Sequence, residues 1–342
     1  MSAPPDFNDA AQIESLWRAH LATLWGSAAS LAHFRQLSAG FSWRTFAFST
    51  TEAIGDHSDF ILQIGPSSGL FAPYTTRPQQ LALRSLEGAA VPAPSVLAAA
   101  EGDAPFDAPW MVTQRIAGDV PLPWTLRMMD EAQARGLSDD FVSTLARLHA
   151  IPWQDRPVAA LDPDCTAHDA NLRQIDHWSK AIARWQRKAH PGLALAERWL
   201  RSHAPPAPHV SLVHGDYRIG NFLRTGTTIN GILDWEMVHL GDPHEDLAWA
   251  LLPMFNGGSR DLAGRVSRAE VFARYEKAGG MTVDAQSMNF HEVLALYKSI
   301  AIDLAAIARY EDGGLRDLRL AAMGTQVAPI LKQLLRALEA TP

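Results

Sequence analysis

Residues 210–249 read VSLVHGDYRIGNFLRTGTTINGILDWEMVHLGDPHEDLAW, and two aspartates and an asparagine within them decide the reading. Asp216 and Asn221 fit D-x-x-x-x-N, and Asp234 follows behind an apolar run. Phosphoryl transfer from a nucleotide uses that order and spacing: one Asp accepts the proton of the attacking hydroxyl, an Asn further along the loop holds magnesium, and a later Asp holds magnesium between the phosphates. Residues 210–213 read as a strand entering the loop. Residues 221–224 and 229–233 read as a hairpin around Thr225-Gly226-Thr227-Thr228, which would return Asp234 beside Asn221. Mg²⁺ takes hard oxygen ligands and keeps several waters, so one amide oxygen and one carboxylate, with phosphates, suffice as its ligands.

His214-Gly215-Asp216-Tyr217-Arg218-Ile219-Gly220-Asn221, Asp234-Trp235-Glu236, and Gly241-Asp242-Pro243 with Asp246-Leu247-Ala248 resemble the aminoglycoside-phosphotransferase-like (APH/choline kinase-like) family. The HGDYR form, with GDP and DLAW, is most similar to its branch related to the kinase domains fused to acyl-CoA dehydrogenases. The resemblance runs from about residue 33 to about residue 313. It implies an α+β, bilobal protein-kinase-like fold: a small N-lobe of antiparallel sheet plus helix, and a larger, mainly helical C-lobe. The expected division is 1–27 as an N-terminal helical extension, 28–116 as the nucleotide-binding lobe and 117–342 as the lobe of the catalytic loop, metal site and substrate pocket. The implied activity is ATP- or GTP- and Mg²⁺-dependent transfer of the γ-phosphate to a hydroxyl of a small molecule. Asp216 is then the catalytic base, with Asn221 and Asp234 as metal ligands. His214 holds backbone carbonyls, and Asp246 anchors the loop backbone by accepting hydrogen bonds. Arg218 either meets an anionic substrate or stabilises the loop, and Glu236 touches either metal or solvent.

The N-terminal motifs depart from the family pattern. Ala39-Gly40-Phe41-Ser42-Trp43 occupies the phosphate-covering turn, with Trp43 where Asn is usual, and backbone N–H groups with the Ser42 hydroxyl would cap a phosphate. Gln63, in Phe60-Ile61-Leu62-Gln63, stands where the resemblance places a Lys or Arg that binds the α/β-phosphates, and Gln79 stands where it places that cation's carboxylate partner. Losing only the cation would strand a buried carboxylate, at a cost of about 3–5 kcal/mol, whereas two amides can bond each other without net charge. The consequence is a weaker grip on phosphate. A kinase-fold nucleotide-binding protein with weak or no catalysis is therefore the alternative reading. Thr113-Gln114-Arg115-Ile116 would be the hinge, with Gln114 and Ile116 meeting the adenine edge through backbone groups.

Bulk properties narrow the class. A chain of 342 residues exceeds one ordinary core, and 47% hydrophobic with 20% charged residues is a globular composition. A formal charge of −7 without a Lys/Arg cluster argues against a nucleic-acid partner. Cys165 is the only cysteine, which excludes an intrachain disulfide framework. The start, MSAPPDFNDAAQ, has no apolar signal core, and the run 293–310 is interrupted by Lys298 and Asp303, so no membrane span and a cytoplasmic location are expected. His239 and His244 lie near Asp242 and Glu245, but Pro243 interrupts helical pairing and zinc is not expected. Helical spacing is read at 10–25, 78–86, 139–149, 171–187, 193–202, 245–254, 268–277, 290–310 and 315–340, and strands at 34–37, 45–49, 60–64, 95–98 and 110–115. Asp303, Glu311 and Asp312 are the acidic candidates for a polycationic acceptor, and Arg309 and Tyr310 for a polar or anionic one.

Overall fold

Alternating apolar residues in the N-terminal runs build a five-stranded antiparallel sheet. In a computed structural model that describes residues 5–26, 30–37, 42–67, 69–313 and 317–339, the chain forms two units, Met1–Arg84 with Pro94–Ile116, and Ser85–Ala93 with Ala117–Pro342. The first contains α1 (Ala10–Trp25), β1 (Leu31–Leu37), β2 (Arg44–Ile54), β3 (His57–Ile64), most of α2 (Arg77–Leu86), β4 (Val96–Glu101) and β5 (Pro109–Gln114). The strand order is β1-β2-β3-β5-β4. Period-2 alternation sends Phe46, Phe48, Phe60, Leu62, Ile64, Trp110 and Val112 to one face, where they join Ile13, Trp17 and Leu21 of α1 in one core cluster. Trp17 meets Trp110 edge-on with ring centres 5.4 Å apart. Helix α1 begins where the Asp9 carboxylate accepts from the N–H groups of Ala11 and Gln12, satisfying donors that a helix start leaves open. The register sets Gln63 opposite Thr45 and Met111, on the face away from that core.

The second unit contains α3 (Pro123–Met128), α4 (Glu131–His149), α5 (Ala170–Trp185), α6 (Pro191–His203), β6 (Ser211–Val213), β7 (Phe222–Thr225), β8 (Thr228–Ile232), β9 (His239–Gly241), α7 (His244–Ala250), α8 (Arg268–Lys277), α9 (Ala285–Glu311), α10 (Leu318–Met323) and α11 (Val327–Glu339). Its core is built around the 27-residue α9, whose Phe290, Val293, Leu294, Tyr297, Ile300 and Leu304 pack with Ile175 and Trp178 of α5, Leu193 and Leu200 of α6, and Ile330 and Leu334 of α11. The expected fold class holds: antiparallel sheet with helix at the N-terminal end, mainly helices at the C-terminal end. Three local expectations are corrected. The helix read over 315–340 is two helices, α10 and α11, joined by a 3₁₀ turn at Gly324–Gln326. The helix read over 245–254 stops at Ala250, before Pro253 opens a separate 3₁₀ turn. Strand β9 was not foreseen, because three residues are too few to show a period; it exists through its pairing with β6 (Ser211 with Gly241, Val213 with His239).

Candidate active site

Asp216 lies on the loop that leaves β6. Four groups hold that loop. The Asp246 carboxylate, in the first turn of α7, accepts from the backbone N–H groups of His214 (2.7 Å) and Gly215 (2.9 Å), and its Oδ2 lies 3.2 Å from His149 Nε2. His214 is buried, with Nε2 2.9 Å from the Leu233 carbonyl while its Nδ1 accepts from the Asp216 N–H at 3.1 Å. This is the neutral tautomer protonated on Nε2, and burial lowers the ring's pKa accordingly, despite the nearby Asp246. Gly215 has φ +82°, and a Cβ there would sit 2.3 Å from the Met237 carbonyl oxygen, so both conformation and space demand glycine. The buried Tyr217 hydroxyl donates to the Phe141 carbonyl at 2.7 Å.

The Asp216 carboxyl is oriented by three side-chain donors. Oδ1 accepts from Trp249 Nε1 at 2.6 Å and from Arg218 Nε at 3.0 Å; Oδ2 accepts from Asn221 Nδ2 at 2.5 Å. A carboxylate has about four acceptor positions, so one remains on Oδ2. Asn221 Nδ2 also donates to the Asp216 carbonyl at 3.0 Å. Two acceptors on one side fix which end of this amide is nitrogen, leaving Oδ1 without a partner among the described residues. Arg218 also lies over the Phe255 ring, 5.0 Å from its centre. Of its two expected roles, the contacts seen are those of loop stabilisation.

The hairpin β7–β8 pairs Phe222 with Ile232 and Thr225 with Thr228, and the Leu233 N–H donates to the Asn221 carbonyl at 2.8 Å. Asp234 therefore follows directly from a residue bonded to Asn221. It adopts a left-handed backbone, φ 66°, before the 3₁₀ turn Trp235–Met237, which also holds Glu236. Its side chain is open to solvent, yet the surrounding protein and then the Asp216 charge push its pKa up to about 6, with Arg218 acting the other way. The Asp234 and Asp216 charges repel each other, and the side chains on this stretch offer oxygens rather than the nitrogen or sulfur that softer metals take.

The Gln63–Gln79 expectation is corrected. The two side chains do not bond each other, and Gln79, 3% exposed, buries its Nε2 without a hydrogen-bond partner among the described residues. An ion pair is drawn together by Coulomb attraction; neutral amides lack that pull. Gly40 lies outside the described residues, and Ser42 is buried just before β2. The Gln114 N–H is committed to the Ser95 carbonyl (3.0 Å) and the Arg115 N–H to that of Asp59 (3.0 Å), while the Ile116 N–H has no partner among the described residues.

The suspected His239/His244/Asp242/Glu245 set divides into two networks. Asp242, His244 and His291 bring ligand atoms within 4.8 Å of one another, but their ring nitrogens are committed. His244 Nδ1 bonds Asp242 (2.8 Å) and its Nε2 accepts from the Asp284 N–H (3.2 Å); His291 bonds the Ser287 carbonyl (2.8 Å) and Asn171 Oδ1 (3.0 Å). This is a hydrogen-bonded clasp on the Gly241-Asp242-Pro243 turn. His239 and Glu245 bond each other elsewhere, at 3.1 Å. The polycation candidates also separate: Glu311 and Asp312 both pair with Arg187, whereas Asp303 is buried and desolvated, its pKa pushed up to about 7. Arg309 stacks on Trp185 at 4.7 Å. A cavity of about 380 Å³ opens at the hairpin tip, lined by Met128, Gln133, Arg224 and Thr227 among others, and Asp216 is not in its wall. Trp249 and Lys298 were missed by the sequence reading. Trp249 stands one residue past the quoted Asp246-Leu247-Ala248, and Lys298 served only to interrupt an apolar run.

The model of a family described as the phosphotransferase enzyme family (APH) matches residues 33–291. Acyl-CoA dehydrogenase family member 10 of Mus musculus is 26% identical over 175 residues, covering 51% of this chain and 16% of that protein. Family member 11 of Homo sapiens is 27% identical over 214 residues, covering 58% and 27%. This chain thus spans only a minor part of these relatives' length. Among solved structures, a Ralstonia eutropha protein provisionally classed as an aminoglycoside phosphotransferase superposes with a TM-score of 0.72 at 21% identity, covering 97% of this chain and 98% of that one. Aminoglycoside phosphotransferase APH(4)-Ia, in a ternary complex with AMP-PNP and hygromycin B, gives a TM-score of 0.65 at 18% identity, covering 95% and 99%.

Proposed function

The chain belongs to the phosphotransferase enzyme family, and from that membership we propose that it moves the γ-phosphate of ATP, or of GTP, to a hydroxyl of a small molecule. The observation that carries this reading is the Asp216 carboxyl, held by Trp249, Arg218 and Asn221 with one acceptor position left on Oδ2. An acceptor hydroxyl donating to that position would be oriented for attack and would give up its proton to Asp216 as the phosphoryl group transfers. Asn221 Oδ1 and Asp234 would hold Mg²⁺, which when bound neutralises charge on the donor phosphates. The division of labour by residue range, 28–116 for the nucleotide and 117–342 for acceptor and chemistry, is part of the proposal, as are Ser42, Gln63, Gln114 and Ile116 as nucleotide contacts. A cytoplasmic setting is also part of it. The acceptor in this reading is a hydroxylated acyl-CoA or similar metabolite; the chain's resemblance to proteins named as acyl-CoA dehydrogenases motivates the choice, and the pairing of Glu311 and Asp312 with Arg187 disfavours a polycation.

The first test is calorimetry of ATP binding with and without Mg²⁺, comparing wild type with Asp234→Asn. Metal-dependent binding that the variant loses supports the reading, and a screen of hydroxylated acyl-CoAs, sugars, amino alcohols and antibiotics then looks for phosphorylated product. Binding without turnover on any acceptor favours the second reading, a nucleotide-binding protein with weak or no catalysis. The unpartnered Gln79 amide and the neutral Gln63 motivate that alternative.

A further inference from the structure

Helix α9 carries a lysine where an apolar residue would fit. Lys298 is 1% exposed, among the largest fully buried side chains of the chain. Its Nζ donates to the Gly215 carbonyl, immediately before Asp216, and to Glu245 Oε1 at 2.9 Å. The same ammonium lies over the Trp249 ring, 4.4 Å from its centre, and 5.4 Å from that of Trp178. Glu245 Oε2 is 3.1 Å from His239 Nε2, and His239 Nδ1 is 3.0 Å from the Met237 carbonyl. Burial opposes ionisation of Glu245, but Lys298 and His239 hold its pKa well below the usual carboxylate range.

A buried lysine that served only to satisfy a carboxylate would need Glu245 alone. This one reaches the catalytic loop by two further routes. One is the Gly215 carbonyl, which fixes the peptide that leads into Asp216. The other is Trp249, whose Nε1–H is the 2.6 Å donor to Asp216 Oδ1. A cation on the face of an indole draws electron density from the ring and makes the N–H a stronger donor. We propose that Lys298 is a positioning residue for Asp216, locking the loop through the Gly215 carbonyl and tightening the Trp249–Asp216 bond. This rests on reading Asp216 as the group that accepts the hydroxyl proton.

The experiment compares wild type, Lys298→Met, and Lys298→Met combined with Glu245→Gln. The single change strands a buried carboxylate and should lower the thermal midpoint; the double change removes both charges and should restore most of it. Two readouts then separate positioning from packing. The first is the Trp249 indole N–H resonance, assigned by its loss in Trp249→Phe, which needs no substrate; it should move upfield in the double variant as the bond to Asp216 weakens. The second is steady-state turnover of Mg·ATP with an acceptor or with water: kcat should fall by about 30-fold, the loss of roughly one charge-assisted hydrogen bond, with KM for Mg·ATP within about three-fold. A double variant with an unmoved indole or a wild-type kcat overturns the proposal. Should wild type turn over nothing, the functional reading fails, and the indole resonance still decides whether Lys298 controls the Trp249–Asp216 bond. Should the double variant fail to fold, Lys298→Gln combined with Glu245→Gln, which removes both charges while keeping a polar pair, takes its place with the same readouts; an unmoved indole or a wild-type kcat there overturns the proposal equally.

Discussion

The loop after β6 and the β3–α2 pair treat their polar side chains in opposite ways. Around the loop, named bonds fix the backbone and the Asp216 carboxyl. Asp246 takes two backbone N–H groups, His214 ties the loop to Leu233, and three donors aim the Asp216 carboxyl. In the first unit Gln79 buries an amide nitrogen with no partner among the described residues, and Gln63 stands in β3 without a charge. A group that must accept a proton along one line needs fixed coordinates, and fixed coordinates come from saturating its neighbours.

The sharpest way to break that contrast is Asp216→Asn. It keeps the shape of the loop but removes the acceptor, and product formation should fall by about 10³-fold, the scale of a general base. Nucleotide affinity measured by calorimetry should stay close to wild type. Next comes Trp249→Phe, which keeps an aromatic ring but removes the donor to Oδ1 together with the fused five-membered ring. Turnover should drop by about 10- to 100-fold, the worth of a hydrogen bond to a charged group. A wild-type rate there would mean that Arg218 and Asn221 suffice to aim the carboxyl.

The other side of the contrast is sharpened by Gln63→Lys with Gln79→Glu. If these positions face the phosphates, calorimetry should show Mg·ATP bound about ten-fold tighter, since a charged donor replaces a neutral one. Unchanged affinity would remove Gln63 from the nucleotide contacts. The smallest effect concerns acid stability. Burial raises the Asp242 pKa, but His291 and the bonded His244 outweigh it and bring it down to about 2. An unfolded Asp titrates near 3.9, so this group's contribution is complete above about pH 4 and is lost as pH falls towards 2. Asp242→Asn should therefore flatten the decline in unfolding free energy between those pH values, measured by urea titration.

The strand–loop–hairpin that carries the proposed catalytic set was legible because D-x-x-x-x-N and the later Asp are local patterns, and each of those elements is short enough to read from neighbours. The N-terminal sheet was legible from alternation, which the core face of Phe46, Phe48, Phe60 and Leu62 reproduces. Other features were not legible. The Gln63–Gln79 bond was expected from a pairing of types, and the structure does not form it. How His239, His244, Asp242 and Glu245 divide into a clasp on Asp242 and a separate Glu245–His239 pair was not legible either, because which nitrogen faces which oxygen depends on where α9 passes.

Sequence alone determined the family resemblance, a sheet followed by helices, and the strand–loop–hairpin on which Asp216, Asn221 and Asp234 lie, since each rests on spacing along one stretch of chain. Only the tertiary structure decided what aims Asp216. Trp249 is 33 residues from it in sequence, and Lys298 reaches the Gly215 carbonyl across 83. A hydrogen bond selects by distance and angle within about 3 Å, and no pattern in a linear chain encodes that proximity before α7 and α9 have packed beside the loop.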